Sequence, residues 1–180
     1  RLQIVAEAIA TTRKIDMQTP VIISFDQPWG EYLASKKLDL APLHFADALV
    51  RADLGLSGLG LEIDLGYQPG GSSFRNPLAY SQLIDHWSHL ELPLLVSLTL
   101  PSSSGEDLQA NPKIRTCGAS GDEDMTPETQ NEWIGRHLPM LLGKASVQAI
   151  LWNQLSDCQP HEFPHGGIFD ANSHPKPAFE

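Results

Sequence analysis

Residues 56–65 read LSGLGLEIDL: an apolar run with glycines at 58 and 60 and two carboxylates, Glu62 and Asp64, set two residues apart. A short run of this kind reads as a strand. Side chains on a strand alternate between its faces. Leu61, Ile63 and Leu65 therefore share one face, and Glu62 and Asp64 share the other. Two placements fit: the interior of a barrel, or the solvent side of an edge strand. An unpaired carboxylate inside an apolar barrel is strongly unfavourable. If the two carboxylates point inward, they are paired or functional.

Three further runs share this character: 21–25 (VIISF, after Pro20), 93–100 (PLLVSLTL) and 147–152 (VQAILW). Helical spacing lies between and before them. Residues 2–15 place apolar groups at Ile4, Val5, Ala8, Ile9 and Ile15. Residues 41–53 return to helix. Residues 76–91 open with Asn76-Pro77, a helix start, and carry Leu78, Leu83, Ile84, Trp87 and Leu90. Thr126-Pro127-Glu128 opens a helix that runs to about Leu142. Residues 101–125 are a long polar loop, and 153–175 are irregular and rich in Pro, His and Gly. Apolar strands alternating with helices imply a parallel sheet. A doubly wound open sheet and a segment of a barrel both satisfy that pattern. No Gly-rich phosphate loop follows a strand, and Gly58-x-Gly60 lies within a strand signal, so a nucleotide fingerprint is unsupported.

The chain has 180 residues and a net charge of −10. A full β/α barrel needs about 250 residues. The acidic balance argues against nucleic acid or an anionic membrane as partner. No apolar run approaches the roughly 20 residues that span a bilayer. Arg1 opens directly into a helical pattern with no visible signal peptide, which suggests a chain cut from something longer. Cys117 and Cys158 both fall in loops, as two unrelated thiols or as one disulfide.

In a β/α barrel the chemistry sits at the carboxyl ends of the strands. There the sequence offers Asp26, Gln27, Trp29 and Glu31 after the first strand, and Glu62, Asp64 and Tyr67 late in the second. Thr99 and Ser102–Ser104 follow the third. Trp152, Asn153, Gln154 and Asp157, then His161, Glu162 and His165, follow the fourth. Carboxylates, amides and indoles on one rim suit sugar binding, because indole faces stack on pyranose rings and forked groups bind hydroxyls. Each also has a plainer role: Trp29 and Trp152 as packing residues, Asp26 as a turn cap before Pro28. His161-Glu162-Phe163-Pro164-His165 matches H-E-x-x-H, but that zinc logic needs both histidines on a helix. Pro164 and Gly166-Gly167 argue against one, so no metal site is expected.

At these residues the chain resembles the clan of retaining glycoside hydrolases with (β/α)8 barrels, and most strongly family 10, the xylanases. Val147–Trp152, Asp157, Gly167-Ile168-Phe169-Asp170 and Pro175-Lys176-Pro177-Ala178 are similar to that family's eighth strand and the segment after it. Gly58-Leu59-Gly60-Leu61-Glu62 is similar to its sixth strand, and Ser24-Phe25-Asp26 more loosely to its fifth. The resemblance implies an α/β fold, the C-terminal half (about strands five to eight) of a TIM (β/α)8 barrel, with residues 1–180 as one partial domain. It implies a carbohydrate ligand, no cofactor, and the remaining N-terminal half of the barrel as structural partner. Leu98 stands where the family has its nucleophilic glutamate, and leucine cannot serve that role. The family's acid/base glutamate would lie upstream of Arg1. In another alignment Asp26-Gln27-Pro28 corresponds to the Asn-Glu-Pro of related families' fourth strand, with Gln for Glu. The expected site is Glu62 as catalytic carboxyl, with Asp26, Trp29, Glu31, Asp64, Trp152, Asn153 and Asp157 binding substrate. Either the intact protein acts on glycans with a displaced carboxylate set, or it is a non-catalytic carbohydrate-binding barrel. Open sheet edges predict that this segment alone dimerises or is poorly soluble.

Overall fold

The computed structural model describes residues 2–33, 40–118 and 125–180; residues 119–124 of the expected polar loop lie outside that set. Its main sheet has four parallel strands in sequential order: β1 (Ile22–Asp26), β2 (Gly58–Asp64), β4 (Leu94–Thr99) and β6 (Val147–Trp152). Among the described residues four α-helices, α1 (Leu2–Ile15), α2 (Pro42–Arg51), α3 (Pro77–Ser88) and α4 (Pro127–Leu142), precede and separate those strands. Each strand sits where its apolar run stands in the sequence. The two-stranded antiparallel pair of β3 (Tyr67–Gln68) and β5 (Arg115–Thr116) was not expected. It folds part of the polar loop back over the carboxyl end of β2. Two-residue strands carry no periodicity, so the sequence holds no signal for them.

Helix starts are written locally. The Asn76 side chain accepts a hydrogen bond from the Ala79 N–H at 2.9 Å, with Pro77 at the first helical position of α3. Thr126 and Thr129 form a reciprocal capping box at the start of α4, again followed by proline.

Register decides which face is which. Asp26 pairs with Glu62, Glu62 with Ser97, Asp64 with Thr99, and Leu98 with Trp152. One face of the sheet therefore carries Ser24, Asp26, Gly60, Glu62, Asp64, Ser97 and Thr99. The other carries Phe25, Leu59, Leu61, Ile63, Val96 and Leu98, all buried against Ala46 of α2, Tyr80, Ile84 and Trp87 of α3, and Leu141 of α4. Fully burying one such side chain contributes about 1.5–3 kcal/mol. The helices thus cover only the apolar face. At Gly60, a Cβ would run into the Ser24 side chain, so glycine lets β1 and β2 approach closely beneath Glu62. Helix α1 departs from its expected apolar stripe: only Ile9 is buried, while Ile4 is 70% and Ile15 85% exposed. Arg13 ties α1 down instead, donating to the Thr19 and Gly55 carbonyls at 2.6 Å each.

Candidate functional site

A cleft of about 430 Å³ opens at the carboxyl ends of β1, β2, β4 and β6. Its carboxylates are Asp26, at the end of β1, Glu62 and Asp64, near the end of β2, and Glu162, from the segment after β6. Ser97 of β4 and Asn153 add a hydroxyl and an amide, and Phe163 adds an aromatic ring. Pairing puts Asp26, Glu62 and Ser97 in one row across three strands, with neighbouring parallel strands about 4.8 Å apart.

Asp64 is the best-defined member. Its Oδ1 accepts a hydrogen bond from the Thr99 hydroxyl at 2.6 Å. Burial pushes its carboxyl up to about 6; the Thr99 bond opposes that rise, and the charges of Glu62, Glu162 and Asp26 add to it. The chain around it is braced. The Asp64 carbonyl accepts from the Ser72 N–H at 2.7 Å, and the Gly71 N–H donates to the Tyr67 carbonyl at 3.2 Å. The Gln27 amide donates to the Gly71 carbonyl at 3.0 Å. Gln27, the residue standing for a glutamate in one alignment, is thereby occupied in holding this turn.

Four of the expected site residues, Asp26, Glu62, Asp64 and Asn153, come together in this cleft. The other four do not line it. Trp152 is corrected most clearly. Its register partner is Leu98, so it stands on the helix-facing side, opposite to Glu62. It packs against the core, and its indole N–H donates to the Gly166 carbonyl at 2.9 Å. Trp29 packs on Tyr80, with ring centroids 5.2 Å apart, under the Arg75 guanidinium. Glu31 pairs with Arg75 at 2.9 Å and accepts from the Ser73 N–H. Asp157 is buried and bound to the Lys176 ammonium at 2.5 Å, the Gln154 amide and the Gly167 N–H. Lys176 also donates to the Ser102 hydroxyl and to the carbonyls of His165 and Gly167. This clamp fixes the segment after β6. The Asp-Gly-Lys spacing that carries the sequence resemblance at the C-terminus is, in three dimensions, a packing device.

The H-E-x-x-H stretch forms a bridge and a turn. His161 meets Asp107 at 3.0 Å, and the His165 N–H donates to the same carboxylate oxygen at 3.0 Å. Burial raises Asp107, but the hydrogen bonds from the His165 and Gln109 N–H groups and from His161 outweigh it and hold the carboxyl below its ordinary value. Glu162 and Phe163, lying between the two histidines, are presented to the cleft by this staple. Among the described residues no group of three or more His, Cys, Asp or Glu side chains is arranged to hold a metal ion. Both cysteines are free.

Leu98 faces the helices. The cleft-facing positions of β4 are Ser97 and Thr99, so this strand presents no carboxylate to the cleft. Sequence reasoning passed over Ser97 and Phe163. Ser97 was legible from the alternation that puts it opposite Leu98, whereas Phe163 reaches the cleft through long-range contacts, the Asp107 staple and packing on Tyr67.

The fold is part of a (β/α)8 barrel, as comparison with solved structures of glycoside hydrolases shows. A β-glucuronidase from Ruminococcus gnavus in complex with D-glucaro 1,5-lactone aligns over 98% of this chain and 28% of its own, with TM-score 0.60 and 16% identity. The β-D-glucuronidase of Dictyoglomus thermophilum aligns over 96% of this chain and 26% of its own, with TM-score 0.58 and 15% identity. A family 10 endoxylanase from a sugarcane soil metagenome aligns over 97% of this chain and 51% of its own, with TM-score 0.62 and 12% identity. The chain thus spans about a quarter to a half of the structures it matches. No family model and no curated protein matches the sequence.

Proposed function

We propose that this chain is one partial domain of a barrel that binds and hydrolyses oligo- or polysaccharides, completed by further β/α units. Asp64 is the carboxyl that holds and delivers the proton, and Glu62, on the same face of β2, is the second carboxyl. The observation that carries this reading is Asp64 itself: a half-buried carboxyl at about 6, in a cleft at the carboxyl ends of parallel strands. A general acid works best with a pKa near the operating pH, and burial beside other carboxylates is how carboxyl groups reach that range. Ser97, Asn153 and Phe163 supply the hydroxyl, amide and ring that bind sugar hydroxyls and faces.

The second reading is a non-catalytic carbohydrate-binding barrel. Ser97 and Thr99 favour it, since β4 offers no carboxylate as nucleophile. The two readings separate on turnover of aryl glycosides and xylo-oligosaccharides by the intact protein beside its Asp64→Asn and Glu62→Gln forms. Slow hydrolysis abolished by either change supports the enzyme. Glycan binding without turnover supports the second reading. Neither binding nor turnover across a broad glycan set refutes both.

A further inference from the structure

Thr99 stands at the carboxyl end of β4, directly across from Asp64 of β2. It is buried, 1% exposed, and its hydroxyl donates to Asp64 Oδ1 at 2.6 Å. A hydroxyl has one proton to give. Among the described residues Asp64 is the only acceptor for the Thr99 proton. Were Asp64 Oδ1 itself protonated, it would donate to the Thr99 oxygen, and the Thr99 proton would be left buried without an acceptor. Leaving a buried donor unpaired is more unfavourable than a hydrogen bond is favourable. The arrangement therefore puts the proton of neutral Asp64 on Oδ2. That oxygen has no hydrogen-bond partner among the described residues, and it is not one of the polar atoms sealed from solvent. Asp64 lines the cleft, so Oδ2 is the oxygen open to a ligand.

The Thr99 side chain is held in this role. A β-branched side chain is stiff at χ1. The Thr99 carbonyl accepts from the Leu65 N–H at 2.9 Å, which ties the two strands together just beyond the pair. A Cβ at position 166 would come within 3.0 Å of both the Thr99 methyl and the Tyr67 hydroxyl. Glycine there lets the segment after β6 close on the methyl, and with the methyl held the hydroxyl points at Asp64.

We infer that Thr99 is a positioning residue: by occupying Asp64 Oδ1 it commits the acid's proton to Oδ2, the oxygen presented to the glycosidic oxygen of a bound sugar. The inference rests on the proposed hydrolysis at Asp64 and deepens it, naming the atom that delivers the proton and the residue that selects it. In that step the proton passes from Oδ2 to the glycosidic oxygen as the bond from that oxygen to the anomeric carbon breaks. The bonding pair stays on the departing oxygen. Water forms the new bond to the anomeric carbon, and the proton it releases restores Asp64. The Thr99 bond strengthens as the carboxyl becomes an anion, because a charged acceptor makes a stronger hydrogen bond. Thr99 thus assists departure of the proton as well as directing it.

Two influences oppose each other at Asp64. Burial, joined by the charges of Glu62 on β2, Glu162 after β6 and Asp26 on β1, raises the carboxyl to about 6, and the Thr99 bond keeps it from rising further. Tyr67 nearby is itself pushed up by burial and by the Asp64 charge, so it stays neutral across this range. Removing the Thr99 hydroxyl should raise Asp64, and with it the pH above which the acid form is lost.

The test compares Thr99→Val, which keeps the shape and loses the hydroxyl, with Thr99→Ser, which keeps the hydroxyl. Thr99→Ala, smaller and equally without a donor, should behave as valine does. Carbon-13 NMR of the Asp64 carboxyl in the intact protein follows its titration independently of turnover. In Thr99→Val the midpoint should move up by about one unit. On aryl glycosides kcat should fall by about tenfold, with KM within about twofold. The alkaline limb of the kcat/KM profile should move up with the Asp64 midpoint. Thr99→Ser should restore the midpoint and most of kcat. An Asp64 midpoint unmoved by valine or alanine overturns the inference and leaves the hydrolysis reading standing. So does a fall in kcat with the original pH profile, which marks Thr99 as packing alone. If the midpoint moves but the unmodified protein turns over no glycoside, the hydrolysis reading falls and takes this inference with it.

Discussion

Replacing Asp64 by asparagine should make the protein more stable at neutral pH while removing its function. In the folded protein the carboxyl is held at about 6 against 3.8 for the free group. That is about two units, or about 3 kcal/mol at 1.36 kcal/mol per unit. The folded value lies above the unfolded one. Below pH 3.8 both states are protonated, and the residue exacts no penalty. Between that value and about 6 the unfolded chain releases a proton that the folded chain keeps, so stability falls as pH rises. Above it the full penalty of about 3 kcal/mol is present. Asparagine is neutral throughout, and its amide oxygen can still accept the hydrogen bond that the Thr99 hydroxyl gives to Asp64. The variant should therefore gain about 2–3 kcal/mol at pH 8 and under about 1 kcal/mol near pH 4. Urea unfolding followed by tryptophan fluorescence, at five pH values and constant ionic strength, reads this difference. A stability change independent of pH, or a loss at pH 8, would refute the idea that burial and neighbouring carboxylates strain Asp64.

Lys176→Met should destabilise by about 3–5 kcal/mol, because it leaves Asp157 charged and buried without its partner. Changing Asp157→Asn as well should recover part of that loss in the same unfolding assay. Gly71→Ala should lose about 1–3 kcal/mol, since its Cβ would meet the carbonyls of Tyr67 and Asp64, which cannot rotate away; a neutral effect on the unfolding midpoint would show that this turn is softer than drawn. Asp107→Asn should weaken the loop staple and act more on KM than on kcat, because it displaces Glu162 and Phe163 and leaves Asp64 in place. The stability supplied by Asp107 should be present above its ordinary titration range and be lost as pH falls through its lowered folded value.

The sequence by itself determined the layers. Four short apolar runs separated by amphipathic segments can bury their surface only as parallel strands under helices, and the Asn76-Pro77 and Thr126-Pro127 starts are local capping chemistry. It also determined that Glu62 and Asp64 share a face, because alternation along a strand is a local property. What it left open was which side of the sheet each candidate would meet. Trp152 and Asn153 are neighbours in the chain, yet one pairs with Leu98 toward the helices and the other reaches the cleft. That division follows from the register between β4 and β6, which includes a shift at Leu94/Leu95 that no periodicity announces. The roles of Asp157 and Glu162 were likewise settled by distant partners, Lys176 for the first and the Asp107 staple for the second. Local pattern fixes the alternation of faces; only long-range pairing decides where each face looks, and whether a buried charge finds a counter-ion.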